Sequence, residues 1–514
     1  MSERGITQTA QGRVAGRAVP GGWLFAGVPY AAAPAGPGRF APPAPGRPWA
    51  GVRGCTEAAP SCPQPVLLGP GWWARANALP GGMDEDCLYL NVLTPALRGG
   101  SRPVMVWFHG GGYRTGSGAG WPFLTGGFLP DGVVLVTVNY RLHLLGFLYL
   151  DELFPDAHGT GNLAHLDQVA ALEWVRANIA EFGGDPANVT IFGESAGAMS
   201  VGALLGMPRA RGLFNGAIVQ SGGAEATTGT AEAAAAAARA LRALGVRAGD
   251  WQALRNVPVG RIVDLALTAR GPGRRAGDWG DFCTVTGDCV FPDAPIDAVR
   301  KGSADKVPVV AGSTRDEWLG MHRAVPPGVM PPPDFAAGFG ADSATAEEIT
   351  QWYRGRGCRD DVEIAAAFDT DRMFTVPAIR LVDALGAAGS PTWRYRLDWA
   401  SPVAGRTVGA FHALDLPFVF DSLDEPAMHG DSPPRQVAAD MHGAWTAFAR
   451  TRDPGDISGQ KWHAHDAGGR YIALFGDPGK VVADPDADLR QFWRHRLTAC
   501  QPDPAAHQPG GRRS

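Results

Sequence analysis

The chain has 514 residues, of which 45% are hydrophobic and 19% charged, a balance that excludes a disordered or fibrous polymer and supplies apolar surface for a large core. Its net charge of -5 comes with no basic stripe, which excludes nucleic acid and an anionic membrane surface as partners and favours neutral small molecules. Met1 to Ala10 carries Glu3, Arg4 and polar residues without an apolar core segment, so no secretory signal is read and a cytoplasmic location is expected.

In chain order, Val104 to Phe108 and Val133 to Val138 are short β-branched-rich runs bounded by glycine, proline or polar residues, and each reads as a strand buried on both faces. The second run stays greasy to Leu150, but Asn139, Arg141 and His143 interrupt it, which makes core segments rather than a membrane span. Leu163, Leu166, Val169, Leu172, Val175 and Ile179 recur at near-helical spacing and predict a helix ended by Gly183-Gly184. A brief strand over Val189 to Phe192 runs into Gly193-Glu194-Ser195-Ala196-Gly197, and a helix follows over Ala198 to Leu205. Gly216 to Val219 and Val307 to Val310 read as further strands, and the alanine-rich Thr230 to Leu244 reads as a helix from propensity.

Strands alternating with helices predict an α/β architecture, a mostly parallel sheet covered on both faces. One catalytic domain is expected over 1–500, with cap insertions at about 225–300 and 320–390, and 501–514 as a disordered tail. No internal repeat is present. The seven cysteines are scattered without a C-x-x-C pair, so no metal site is predicted; Cys62 with Cys87 and Cys283 with Cys289 are the pairs an oxidising compartment would allow to bridge.

The chemistry is read from the turns. G-x-S-x-G alone is weak in a chain with 70 glycines, but here a strand enters it and a helix leaves it, the context that puts a serine on a sharp, exposed bend. A Cβ at Gly193 or Gly197 would collide with the neighbouring strand or helix, and the helix beginning beside Ser195 aims its amides at a developing negative charge. His109-Gly110-Gly111-Gly112-Tyr113 directly follows the strand ending at Phe108, where three glycines let backbone amides approach a substrate oxygen. The supporting acid should end a later strand and the histidine should lie beyond it; Asp316 and Glu317 both follow the Val307 to Val310 run. Of eight histidines downstream of the serine, His412 is favoured because the mostly apolar run Leu414 to Phe420 would bury and orient its ring.

At these residues the sequence resembles the type-B carboxylesterase and cholinesterase family, most closely its bacterial para-nitrobenzyl-esterase-like branch. Phe182 to Gly197 matches the family's serine signature without a gap, Glu85-Asp86-Cys87-Leu88-Tyr89-Leu90-Asn91 its second signature, and Phe25 to Tyr30 its amino-terminal motif. The resemblance runs from about Gly12 to Leu497. It implies an α/β-hydrolase fold and a serine carboxylesterase without cofactor or metal, taking a small ester and water. It further implies Ser195 as nucleophile, Glu317 as acid, His412 as base, and Gly111, Gly112 and Ala196 as oxyanion donors. A monomer or weak homo-oligomer is expected. Ser221 in Gln220-Ser221-Gly222 matches a family serine near the histidine, and the large side chains of Trp72, Trp73, Met199, Trp318 and Phe374 are candidate pocket walls. The family usually has glycine after the acid, so Trp318 should reshape the acid loop or the pocket. Because a histidine base works only as neutral imidazole, activity is expected to fall below about pH 6.

Overall fold

The computed structural model describes residues 4–66, 78–268, 283–324, 343–466 and 468–494. Trp72, Trp73 and the tail 501–514 lie outside the described residues. Among those described, one sheet gathers β1 (Arg4–Gln8), β2 (Arg13–Val19), β3 (Gly22–Pro29), β4 (Val52–Gly54), β5 (Tyr89–Thr94), β6 (Arg102–Phe108), β7 (Val134–Val138), β8 (Gly184–Glu194), β9 (Gly216–Gln220), β10 (Val309–Thr314), β11 (Thr392–Leu397), β12 (Tyr471–Phe475) and β13 (Lys480–Ala483). The spatial order is β1-β2-β3-β5-β7-β6-β8-β9-β10-β11-β12-β13, with β4 beside β2. In that spatial order, each adjacent pair from β7 through β6, β8, β9, β10 and β11 to β12 is parallel, as the alternating sequence pattern predicts. Antiparallel strands extend both edges.

Both faces of the central strands are covered, and the alternation along β6 shows how. Val104, Val106 and Phe108 face one core while Met105 and Trp107 face the other, so the strand reads as a continuous apolar run. Helices α1 (Leu163–Asn178) and α2 (Ala196–Gly206) contribute to the first core, and α3 (Arg435–Thr451) to the second. The second signature works as a tie: Asn91 on β5 accepts from the Gly27 N–H at 3.0 Å and donates to Thr137 Oγ1 at 2.9 Å. Cys62 and Cys87 meet as thiols, not as a bridge, and Cys283 is not bridged to Cys289. The contact with Cys62, then burial, raises the Cys87 thiol well above its ordinary value.

Two strands run further than their apolar runs suggested. β8 begins at Gly184, where pairing with Arg102 starts, and β10 continues through Ala311-Gly312-Ser313-Thr314, small residues without a hydrophobic signature that are buried between β9 and β11. Helix α2 likewise begins at Ala196 rather than Ala198. Its entry depends on close approach, because a Cβ at Gly197 would fall 2.0 Å from the Phe108 carbonyl oxygen and one at Gly193 would fall 2.5 Å from the Gly197 carbonyl carbon. Backbone on both sides cannot swing away as a side chain could. Gly197→Ala should therefore destabilise the fold by about 1–3 kcal/mol in denaturant unfolding, and an unchanged midpoint would contradict this packing.

Candidate active site

The chain leaves β6 towards β7 on one side, then crosses back to place β8 on the other. Strand order reverses there, which opens a crevice at the carboxyl ends of β6 and β8. The glycine loop leaves β6 into this crevice and the serine turn leaves β8 into it. Ser195 sits at φ 56° and ψ -124°, a strained conformation for a non-glycine residue, and its N–H is held by the Gln220 carbonyl at 2.9 Å. A methyl at Gly110 would fall 3.1 Å from Ser195 Cβ and 2.8 Å from Glu194 Oε2, so the loop, the serine and the Glu194 carboxylate are in contact.

The loop is anchored from behind. The His109 ring stacks on Tyr140 with centroids 4.4 Å apart, its Nδ1 lies 2.8 Å from the Gly110 carbonyl, and burial lowers its pKa to about 4, which keeps it neutral. The Arg114 and Thr115 N–H groups both bond the Gly111 carbonyl, which fixes the tight bend in which Gly111 and Gly112 have φ 111° and 62°. The amide N–H groups of Gly111, Gly112 and Ala196 make no hydrogen bond to any described residue, and nothing lies within 4 Å of the position a Cβ would take at Gly112. That leaves three amide donors without a partner among the described residues, and open space at Gly112.

Glu317 and His412 come from the loops after β10 and β11. Glu317 is fully buried; its Oε1 accepts the Thr314 N–H at 2.8 Å and its Oε2 lies 2.5 Å from His412 Nδ1. The His412 N–H also donates to the Glu317 carbonyl at 3.0 Å, so main chain and side chain lock the pair together. Asp316, the other acid of that loop, points away and accepts from Ala410 N–H at 2.8 Å. The imidazole Nε2 makes no hydrogen bond to Ser195 Oγ; it lies 3.2 Å from Glu194 Oε1, outside hydrogen-bond geometry. Deeper still, Asp415 accepts from Gln220 Nε2 at 2.9 Å and from the Tyr395 hydroxyl at 3.1 Å, while Trp445 Nε1 holds Gln220.

Three buried carboxyl groups thus surround one imidazole. Burial pushes Glu194 up to about 8 against the pull of His412. Burial, opposed by the Gln220 hydrogen bond and aided by the Glu317 charge, pushes Asp415 up to about 6. At His412, burial disfavours the cation, but the charges of Glu194 and Glu317 and the Nδ1 hydrogen bond outweigh it and raise the pKa to about 9. A base raised in this direction loses its free form at higher pH than an ordinary histidine, so the acid limb of kcat/KM is expected above about pH 6.5 rather than near pH 6. Glu194 holds that proton only where it is itself ionised, so Glu194→Gln should move to lower pH whatever part of the limb lies above about pH 8. A pH–rate profile whose limb stays in place, or moves up, in the variant would contradict the role of Glu194.

The apolar candidates divide. The Trp318 ring lies parallel to His412, within 2° and with centroids 6.4 Å apart, and Phe374 packs 4.9 Å from the same imidazole, so both wall the site beside the histidine. Met199, whose N–H donates to the Ser195 carbonyl at 2.9 Å, is 3% exposed and packed in the main core. Ser221 is fully buried at φ 58° with its N–H on the Gly312 carbonyl and its hydroxyl without a partner among the described residues. Sequence reasoning passed over Glu194 and Asp415. Glu194 lay inside the serine signature, but nothing local says that its carboxylate meets a ring 218 positions further on.

A serine on the turn after a central parallel strand, next to a cradle of backbone amides, is the layout of an α/β hydrolase. Residues 3–481 match the sequence profile of the carboxylesterase family. The chain is 35% identical to the para-nitrobenzyl esterase of Bacillus subtilis (strain 168) over 493 residues, covering 95% of this chain and 98% of that one. It is also 35% identical to the phenmedipham hydrolase of Pseudarthrobacter oxydans, covering 94% and 97% of the two chains. Among solved structures, a Geobacillus stearothermophilus carboxylesterase aligns with a TM-score of 0.81 at 35% identity, over 95% of this chain and 99% of that one. A PNB esterase aligns with a TM-score of 0.81 at 33% identity over the same shares. The chain belongs to the carboxylesterase family and is a serine carboxylesterase. No helix among the described residues is long and apolar enough to cross a membrane.

Proposed function

We propose that Ser195 is the nucleophile, His412 its general base and Glu317 the supporting acid, with Gly111, Gly112 and Ala196 donating to the oxyanion. The observation that carries this reading is the 2.5 Å contact of His412 Nδ1 with buried Glu317, which leaves Nε2 without a hydrogen bond on the side that meets Glu194. A serine–imidazole hydrogen bond commonly tightens only in the reacting complex. In the first step Nε2 takes the Ser195 proton as Oγ bonds to the ester carbonyl carbon, and the carbonyl oxygen takes up negative charge among the three amides. The imidazolium then gives its proton to the alkoxide as the carbon–oxygen bond breaks, and the alcohol leaves. Water repeats the sequence on the acyl-enzyme and releases the acid. No residue in this scheme needs a metal or an organic cofactor.

Trp318 and Phe374 give the site an apolar wall, which favours small, neutral or apolar esters. The same reading treats 1–500 as one catalytic domain with cap insertions, working in the cytoplasm as a monomer or weak homo-oligomer. A dialkyl fluorophosphate should add one equivalent of mass, mapped by peptide mass spectrometry to Ser195 and coincident with inactivation. Modification at any other residue, or full inactivation without an adduct, would contradict the assignment.

A further inference from the structure

A cavity of about 330 Å³ opens behind the acid loop, lined by Arg315, Arg323, Arg356 and Arg359 together with Asp316 and Glu363. In a chain with a net charge of -5, the lining itself sets four guanidiniums against two carboxylates, with Asp398, Asp360 and Asp371 acting on Arg315, Arg359 and Arg356 from outside it. The carboxylates are already shared. Glu363 is bonded by both Arg323, at 2.6 Å, and Arg359. Asp316 holds Arg315 at 2.8 Å and the Ala410 N–H. Arg356 stacks over the Trp352 ring at 5.3 Å and bonds no carboxylate among the described residues. The remaining side chains of the lining, among them Thr370, Cys358 and Leu319, carry no charge to offset the excess. Guanidinium stays charged at all working pH values and pairs bidentately with phosphate and carboxylate groups.

The wall of this cavity is also the back of the proposed catalytic acid. Asp316 fixes Ala410, two residues before His412, and Thr370 Oγ1 accepts the Trp318 N–H at 3.2 Å, immediately after Glu317. We propose that the cavity binds a small anion carrying two or more negative charges on phosphate or carboxylate groups, and that its occupant acts on the acid loop through Asp316 and Thr370. The binding stands on the cavity alone; the effect on turnover rests on the reading of Glu317 as the acid.

Isothermal titration of the full chain with inorganic pyrophosphate at low ionic strength should show saturable binding at a single site, weakened about tenfold or more in an Arg356→Ala, Arg359→Ala double variant that keeps the wild-type circular dichroism and melting temperature. Succinate titrated in parallel separates the two sources: tighter pyrophosphate assigns a phosphate-bearing occupant, and tighter succinate a dicarboxylate. No saturation with either probe, heats equal to those of sodium chloride at matched ionic strength, or unweakened binding to the double variant would overturn the site. Saturating probe should change kcat for p-nitrophenyl acetate by about twofold or more in the wild type and leave the double variant unaffected. Binding with an unchanged kcat would overturn the coupling. A Ser195→Ala protein that kept its activity would instead fault the catalytic reading and leave the titration standing.

Discussion

Ser195→Ala should lower kcat by about 10⁴- to 10⁶-fold while leaving the melting temperature close to that of the wild type. The size follows from what the hydroxyl does alone. Without Oγ there is no acyl-enzyme, and the amides and imidazole can only assist direct attack by water. Stability should hold because the strained turn is fixed by main chain, through the Ser195 N–H on Gln220 and the packing of Gly193 and Gly197, rather than by the hydroxyl. The assay is steady-state hydrolysis of a p-nitrophenyl ester, with thermal unfolding followed in parallel. A loss smaller than about tenfold would remove Ser195 as nucleophile.

Glu317→Gln should cost about 10⁴ in kcat, the scale expected when the tautomer of a catalytic imidazole is no longer enforced. The carboxylate accepts twice, from the Thr314 N–H and at His412 Nδ1, and both acceptors are buried. A glutamine has one acceptor oxygen and an NH₂. If that oxygen keeps Thr314, the amide donates to Nδ1, forces the imidazole proton onto Nε2 and so blocks the atom that must take the serine proton. KM should move much less than kcat, because nothing that touches the ester has changed. A variant retaining more than about a tenth of wild-type kcat would show that the acid lies elsewhere, with Glu194 and Asp415 the next groups to test.

The serine turn was legible in the sequence because its signal is local. Strand, glycine-flanked turn and helix are contiguous from Val189 to Leu205, and the structure keeps all three while lengthening the strand to Gly184–Glu194 and the helix to Ala196–Gly206. The glycine loop was legible for the same reason. The proposed base was not fixed by spacing, since each histidine is one of several until tertiary partners are known. His442 is held between Asp131 and the Val419 carbonyl, His322 bonds Asp369, and His429 turns to Gly430, all structural satisfactions that no local pattern reveals. What favoured His412 was the apolar run after it, and Leu414, Leu416, Phe418, Val419 and Phe420 are indeed buried. The antiparallel strands β1 and β2 went unread because their apolar positions are broken by glycine and arginine, so neither the period of two nor a continuous run stands out. The extension of β10 was missed because Gly312 can lie against the Tyr395 backbone only by lacking a side chain, which leaves no hydrophobic trace.

Ser195, Glu317 and His412 hang from the ends of β8, β10 and β11, strands that lie side by side around β9 although long chain segments separate them. The three come to one place only through the pairing of these central strands with one another. Ester hydrolysis is therefore a gauge of the whole platform rather than of one loop, so inactivation by denaturant should track cooperative melting of the central strands.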